Sequence, residues 1–398
     1  VNVLVVNCDS ASARFAVVDV ESGHELVAGR AEWLGTPQAA VSWEVGGQRQ
    51  GRAIPGAGHE GGVRAIVELV RELGLAGELA AVGHRVVHGG ARFTGSLPIG
   101  PDVLDGIRAC TPLSPLHNPP SLVGIEVAQE LLPHLPQVAV FDTAFHHTMP
   151  PRAFLYAVPY EWFERHQVRR YGFHGTSHRF ISERAVQLLG LDPRDSALVT
   201  AHLGNGCSLA AVRDGRSMDT TMGLTPVDGV VMGTRCGAID PSIVTHMKAH
   251  LPGEEVVDAL NRRSGLLGLS GLSHDMRVLR DAADRGHERA TLAIEKFCYS
   301  VAKATVGLVV ALGRLDALVF TGGIGENADF ARGRIIELLG MLGLVLDPEL
   351  NAVHGRGHGG RISRSLRPQA LVVPTNEQIM IALDTAEVVR RSRGPASA

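Results

Sequence analysis

The chain has 398 residues, 45% of them hydrophobic and 20% charged, with a formal net charge of -3. That length supports two or more hydrophobic cores in a soluble globular protein. Without an excess of positive charge it carries no electrostatic footprint for nucleic acid or an anionic membrane, and neither is expected as a partner.

Only Lys248, Lys296 and Lys303 are lysine, which confines any lysine-dependent phosphate chemistry to those positions. The five cysteines, Cys8, Cys110, Cys207, Cys236 and Cys298, are widely spaced and form no C-x-x-C pair. This suits a reducing, cytoplasmic compartment and argues against both a disulfide framework and a cysteine-built zinc site.

The first segment, VNVLVVNCDS, is an apolar run broken at Asn7 with no basic flank, and it reads as an internal strand rather than a signal peptide. The stretches 3–25 and 196–219 share one layout: an apolar strand, a loop of small polar residues with an asparagine, a second strand and a Gly-containing turn. Two such hairpins so far apart predict a duplicated domain, and the alternating strand-like and helix-like segments after each predict an α/β fold. In the first loop, NCDSAS, Asn7, Ser10 and Ser12 lie with Arg14 near a tight turn that could cradle phosphate oxygens; ordinary hairpins carry such residues too.

GHRVVHGG (83–90) places Arg85 among apolar residues and glycines. Its HRVVH spacing looks like a strand, so His84 and His88 would lie about 13 Å apart and cannot share a metal. FDTAFH puts Asp142 at the carboxyl end of a strand, where α/β sites gather. The proline-punctuated stretch 147–162 could carry the chain from one half to the other. In HGTSH (174–178), Thr176 or Ser177 can cap a helix, no third ligand completes a zinc site, and His174 is placed to donate to a transferring phosphoryl group. HLGNG (202–206) allows close backbone approach to a ligand, with Asn205 as a donor.

Arg235, in MGTRCGAIDP, and Arg277, in SHDMR, carry fixed charge suited to carboxylates or phosphates. The apolar segment 291–313 contains Glu295, Lys296 and Lys303 and is expected to be a buried helix, not a membrane span. LVFTGGIGENA (318–328) fits a dinucleotide fingerprint through Gly323, Gly325 and Ala328, with Asp347 as the ribose acid, but too little chain follows for a complete dinucleotide domain. A late loop that holds an anion at a helix start fits better. The last helix is expected to start near Asn376, with a frayed polar tail after it.

Ten motifs now stand in order: VNCDSAS, GHRVVHGG, SPLHNPP, FDTAFHHTMPP, RRYGFHGTSH, HLGNG, MGTRCGAIDP, SHDMR, FTGGIGEN and PTNEQIMIA. In this set, covering almost the whole chain, the sequence closely resembles the acetate kinase family, of the superfamily that also holds sugar kinases, the ATPase domain of heat-shock chaperones and actin. The resemblance implies an α/β fold of two duplicated actin-like (ribonuclease H-like) domains with a nucleotide cleft between them. Domain one would be residues 1–146 plus 379–398, and domain two, residues 147–378, would carry most nucleotide contacts.

The implied activity is reversible, direct in-line transfer from Mg-ATP to acetate, giving acetyl phosphate and ADP, with propionate or another short-chain carboxylate as the alternative acceptor. Mn2+ is an alternative to Mg2+, and a cytoplasmic homodimer is implied. By motif, Asn7 and Glu377 would organise the metal, and Ser10, Ser12 and Arg14 would border the phosphate path. Arg85 and Arg235 would hold the carboxylate and migrating phosphoryl group, with His174 donating and Asp142 beside them. His202, Leu203, Gly204, Asn205 and Gly206, with Gly322, Gly323, Ile324, Gly325, Glu326 and Asn327, would contact nucleotide phosphates. Asp275, Met276 and Arg277 would hold the adenosine side. Val87, Leu116, Phe173 and Pro226 would form the acetate-methyl pocket, with His117 nearby.

A carboxylate acceptor is already ionised at neutral pH, since such groups have pKa values of about 4 to 5. It needs positioned cations, not a general base, so Asp142 is expected to orient an arginine or metal-bound water. A sugar kinase would use an aspartate base on its hydroxyl acceptor, and Asp142 alone does not separate the two. Arg14 stands where lysine is frequent in the family, and Ala238 where an acid is usual, leaving Asp240 to support Arg235. Two further readings compete: a nucleotide-driven conformational ATPase and a dinucleotide oxidoreductase. The motifs around Arg85 and His174 oppose the first, and the duplicated hairpins oppose the second.

Overall fold

The computed structural model describes residues 1–392; the tail expected to fray lies outside the described residues. The chain divides into two compact units, Val1–Phe145 with the segment from Asn376 onward, and His146–Thr375.

In the first unit, strands β1 (Asn2–Asp9), β2 (Ser12–Asp19), β3 (His24–Glu32), β4 (Ala40–Val45), β5 (Gln48–Ala53), β6 (Leu79–Val86), β7 (Leu97–Pro98) and β8 (Gln137–Phe141) form one sheet in the order β5-β4-β3-β2-β1-β6-β8-β7. β1 runs antiparallel to β2 and parallel to β6, which is parallel to β8. Alternation along β1 sends Leu4, Val6 and Cys8 into a core on one face and Val3 and Val5 into a core on the other. A strand buried on both faces has to be apolar almost throughout, which is why VLVV is continuous.

Helices α1 (His59–Glu72) and α2 (Asn118–Leu131) supply the first face. Ile381, Ala382, Ala386 and Val389 of the C-terminal helix, Glu377–Ser392, supply the second. That helix lies close because residue 83 has no side chain: a Cβ on Gly83 would meet Thr385 Oγ1 at 2.3 Å.

The second unit repeats the pattern with β9 (Ala197–Leu203), β10 (Cys207–Arg213), β11 (Arg216–Thr220), β12 (Ala317–Thr321) and β13 (Gln369–Val372), ordered β11-β10-β9-β12-β13. β9 is antiparallel to β10 and parallel to β12, which is parallel to β13. These strands match β3-β2-β1-β6-β8 in order and direction, so the duplication expected from the two hairpins and the ribonuclease H-like α/β organisation implied by the resemblance both hold. Asp214 and Gly215, both at positive φ, make the β10–β11 turn, the conformation that matches strand twist.

Helix α3 (Gly175–Leu189) packs on β9, β12 and β13 through Ile181, Ala185 and Val186. Helix α4 (Met276–Asp284) precedes α5 (Glu288–Leu312), which lies against β9, β10 and β11. The apolar segment is therefore a helix packed on the sheet by one side, with Leu292, Tyr299 and Val310 exposed, and among the described residues no helix is long and apolar enough to cross a membrane. The short α6 (Gly322–Asn327) and α7 (Asp329–Leu338) follow β12 directly.

The dinucleotide reading of this loop does not survive. Its strand is the fourth of its sheet, and the Asp347 carboxylate accepts from the Glu349 and Leu350 amides, capping its own helix.

Candidate active site

In the first unit, Asn7 is near the end of β1, Arg85 near the end of β6 and Asp142 directly follows β8. These are adjacent parallel strands, so their carboxyl ends bring the three side chains together. Arg85 is buried; its Nε donates to Asp142 Oδ1 and Oδ2 at 3.1 Å each, and its Nη2 donates to Oδ2 at 2.5 Å. Its Nη1 donates to Asn7 Oδ1 at 3.2 Å and reaches Asp9 Oδ1 at 3.5 Å. Asp142 is fully buried, and its backbone amide donates to Val86.

Burial works against the Arg85 charge, but the carboxylates of Asp142, Glu377 and Asp9 outweigh it and hold the guanidinium pKa above its ordinary value. Three carboxylates thus act on one fixed cation. Asp9 had not been singled out, though it lies in NCDSAS two residues after Asn7, the spacing that puts both on one face of a strand.

Ser10 occupies the β1–β2 turn, where His59 Nε2 stands 2.6 Å from Asp9 O and steadies the chain. Ser12 and Arg14 begin β2, with the Arg14 side chain exposed. Val87 is buried just beyond β6, Leu116 is exposed, and His117 precedes the first residue of α2. Asn118, fully buried, donates to His88 O and accepts from His88 N, pinning GHRVVHGG to α2.

In the second unit, His174 adopts a left-handed conformation, φ 55°, at the head of α3. Its ring stacks on that of His202, with centroids 4.2 Å apart. Ser208 Oγ lies 2.9 Å from His174 Nδ1 and 2.8 Å from His178 Nε2, and Thr200 Oγ1 lies 2.8 Å from His178 Nδ1. The Thr200 hydroxyl donates to Ala210 O, so it accepts from His178 Nδ1. Burial holds the His178 pKa well below its ordinary value, leaving Nε2 of that neutral ring to accept from Ser208. The Ser208 oxygen then accepts from His174 Nδ1.

His202 Nδ1 is tied to Ser177 Oγ at 2.8 Å, and Ser177 to Thr375 at 2.9 Å. A Cβ added to Gly206 would sit 3.1 Å from Arg235 Nη1 and 3.6 Å from His174 Nε2, so both predicted side chains converge on that glycine. Arg235 Nη1 also donates to Pro226 O, and Phe173 O lies 3.0 Å from Nε2 of the buried His146. Asp240 is exposed and accepts from the Ser242 amide, so its carboxylate caps a helix.

HLGNG forms the β9–β10 turn, closed by Gly204 N donating to Gly206 O. A Cβ on Gly322, at φ 78°, would meet Leu203 O at 2.7 Å; only glycine lets the two loops touch. Glu326 Oε1 accepts from Thr321 Oγ1 and Gly322 N at 3.0 Å each, so this acid shapes its own loop. A cavity of about 360 Å³ joins three predicted motifs, with Gly204 and Asn205, Asp275 to Arg277, and Gly323, Ile324 and Asn327 in its lining.

Asp275 caps α4 by accepting from the Arg277 amide and guanidinium, and those hydrogen bonds hold its pKa down to about 2. Ala328, the last residue of the glycine fingerprint, also lines the cavity, as do His274 and Phe330, which were not anticipated. Phe330 stacks under Arg280, whose guanidinium lies 5.0 Å from the ring centroid.

The Acetokinase family model matches residues 2–383. The chain is 50% identical to an acetate kinase of Deinococcus radiodurans over 388 residues, which is 97% of this chain and 98% of that one. Among solved structures it is similar to a propionate kinase from Francisella tularensis, with a TM-score of 0.93 and 42% identity over 97% of this chain and 99% of that one. It is also similar to Porphyromonas gingivalis acetate kinase, with a TM-score of 0.89 and 40% identity over 98% and 99%.

Proposed function

Because the chain belongs to the Acetokinase family, we propose that it transfers the γ-phosphoryl group of ATP reversibly and in line to acetate, giving acetyl phosphate and ADP. The observation that carries the acceptor class is the Arg85–Asp142 fork. Both Asp142 oxygens are engaged by Arg85, so the buried carboxylate is an anchor and not a base. An acceptor that arrives ionised needs no base, whereas a hydroxyl acceptor does.

Arg85, aligned by Asp142, binds the acceptor carboxylate and suppresses repulsion between two anions. Arg235 acts on the migrating phosphoryl group, and His174, whose Nδ1 proton is held by Ser208, donates to it from Nε2 as the imidazolium. The HLGNG and GGIGEN loops take the nucleotide phosphates on backbone amides, Asp275 to Arg277 border the adenosine, and Ser10, Ser12 and Arg14 border the phosphate path. Val87, Leu116, Phe173 and Pro226 receive the acetate methyl group, with His117 beside them.

The excess of carboxylate over guanidinium around Asn7 suits a hard divalent cation. Mg2+ would be held by Asn7 and Glu377, with water completing its shell. When bound, that ion would neutralise charge on the phosphate oxygens. The chain is proposed to act as a cytoplasmic homodimer.

Propionate is the second acceptor reading, supported by the similarity to a propionate kinase. One methylene in an apolar pocket discriminates by only about 1 to 3 kcal/mol. The test is acyl phosphate formation trapped with hydroxylamine, using Mg-ATP with acetate, propionate, butyrate or glycerol. Turnover should be fastest with acetate, fall with chain length and vanish with glycerol. ADP release without acyl phosphate would overturn the reading in favour of an ATPase.

A further inference from the structure

A second cavity, of about 370 Å³, lies within the second unit between α3, the loop 354–360 and the chain after β13. The loop reads HGRGHGG, and its backbone is unusual. His354 is at φ 55°, and Gly355, Gly357, Gly359 and Gly360 are all at positive φ. A Cβ on Gly355 would lie 2.3 Å from Gly360 C, and one on Gly360 would lie 2.3 Å from Val372 O. The loop therefore folds tightly on itself and against β13, a conformation open only to glycine at those positions.

Donor-bearing residues line the cavity from the loop and from α3. Arg184, on α3, and Arg356, in the loop, both line it, and Arg184 Nη1 donates to Gln187 Oε1 at 3.1 Å. Among the described residues, the Gly357 and Gly359 amides make no hydrogen bond. His354 contributes a third kind of donor: its Nδ1 lies 2.9 Å from Arg332 Nη2, and a guanidinium can only donate, so the neutral ring must carry its proton on Nε2. Phe180, Leu188, Val373 and Pro374 give the cavity an apolar floor. The carboxylate in the lining, Glu326, already accepts from Thr321, Gly322 and Thr375. Fixed cations and free amides over an apolar floor match a phosphate head on a flat apolar body.

The cavity is also wired to the nucleotide loop. Arg332 is fully buried and donates to Gly325 O at 2.9 Å, within GGIGEN, as well as contacting His354. Its Nε donates to Asn351 Oδ1, so the guanidinium has no room to drift. Asn327 lines both cavities.

We propose that this cavity is a second ligand site, taking a phosphate monoester of a small apolar or aromatic group, and that its occupancy is transmitted through His354 and Arg332 to the nucleotide loop. The linkage rests on the kinase reading; the binding does not.

The test uses the full chain and phenyl phosphate as probe. Calorimetry should show binding that is lost in the double variant Arg184→Ala/Arg356→Ala. Both arginines are exposed, so the variant should fold and keep its basal rate of acyl phosphate formation. Saturating phenyl phosphate should change the Mg-ADP dissociation constant of the unaltered protein by about fivefold, the low end for coupled sites, and leave that of the variant unchanged. Equal binding by both proteins would overturn the site. Binding lost in the variant with no effect on Mg-ADP affinity would overturn the linkage. Failure of the kinase reading would show separately, as absent acyl phosphate without any probe.

Discussion

Replacing Asp142 with asparagine separates an orienting carboxylate from a proton acceptor. The substitution keeps the shape but leaves one oxygen where Arg85 now finds two, so the three N–H···O contacts cannot all persist. Breaking a buried ion pair costs about 3 to 5 kcal/mol; because Asp9 and Glu377 still neutralise the cation, the lower end applies, about 3 kcal/mol of stability. For catalysis, the guanidinium loses its fixed direction, and misplacement by about 1 Å costs roughly 100-fold. The assay is hydroxylamine-trapped acetyl phosphate formation from about pH 6 to about pH 8.5, with Mg-ATP binding measured alongside. Turnover should fall by about 100-fold at every pH, with ATP affinity retained. A loss confined to one limb of the pH profile would make Asp142 a titrating base and refute the orienting role.

Arg235→Ala should cut turnover by about 1,000-fold while Mg-ATP still binds, since the guanidinium converges with His174 on Gly206 outside the adenosine-side cavity; near-normal turnover would remove it from the site. Ser208→Ala frees the His174 tautomer and should lower kcat by about tenfold with little change in the KM for ATP, and Ser208→Thr should restore most of it. Phe330→Ala should weaken ATP binding by about tenfold and leave kcat nearly intact, because the ring lines the cavity proposed to border the adenosine; an unchanged KM would place adenosine elsewhere. Burial lowers the pKa of His84 and of His146 from 6.5 to about 4. Between those values the unfolded chain binds more protons, so stability is complete above about pH 6.5 and is lost as pH falls through 4, on the order of 3 kcal/mol per histidine. Urea midpoints that stay flat over this window would show the rings to be solvated.

What the sequence made legible was set by period and by glycine. The two hairpins announced the duplication because β1 and β9 are apolar on both faces and each breaks into small polar residues where its strand ends. Arg85 and Asp142 could be named as candidates, but their pairing could not. They are 57 residues apart, and only the parallel alignment of β6 with β8 brings their strand ends together. The serine linking His174 to His178 was hidden for a similar reason: Ser208 meets them only after β10 folds back on β9. Phe330 gave no signal, because one aromatic residue on a short helix reads as core until the cavity beside it is seen.

The duplication also explains how one topology serves two chemistries. In the first unit the ends of β1, β6 and β8 carry Asn7, Arg85 and Asp142, which are charged or strongly polar and locked to one another. At the equivalent ends in the second unit, β9 leads into HLGNG and β12 into GGIGEN, where glycines let backbone segments approach closely. A strand end with a buried ion pair can fix a small carboxylate by direction, since a guanidinium fork is planar and cannot lose its charge. A strand end made of glycine can wrap a polyphosphate, since close backbone approach supplies many donors without side-chain entropy. Exchanging the two end types would leave the sheets intact and remove the activity: grafting GGIGEN-like glycines after β6 should preserve folding of that sheet while abolishing acetyl phosphate formation. Retained transfer in such a chimera would show that the strand ends are scaffolding and that the chemistry resides elsewhere.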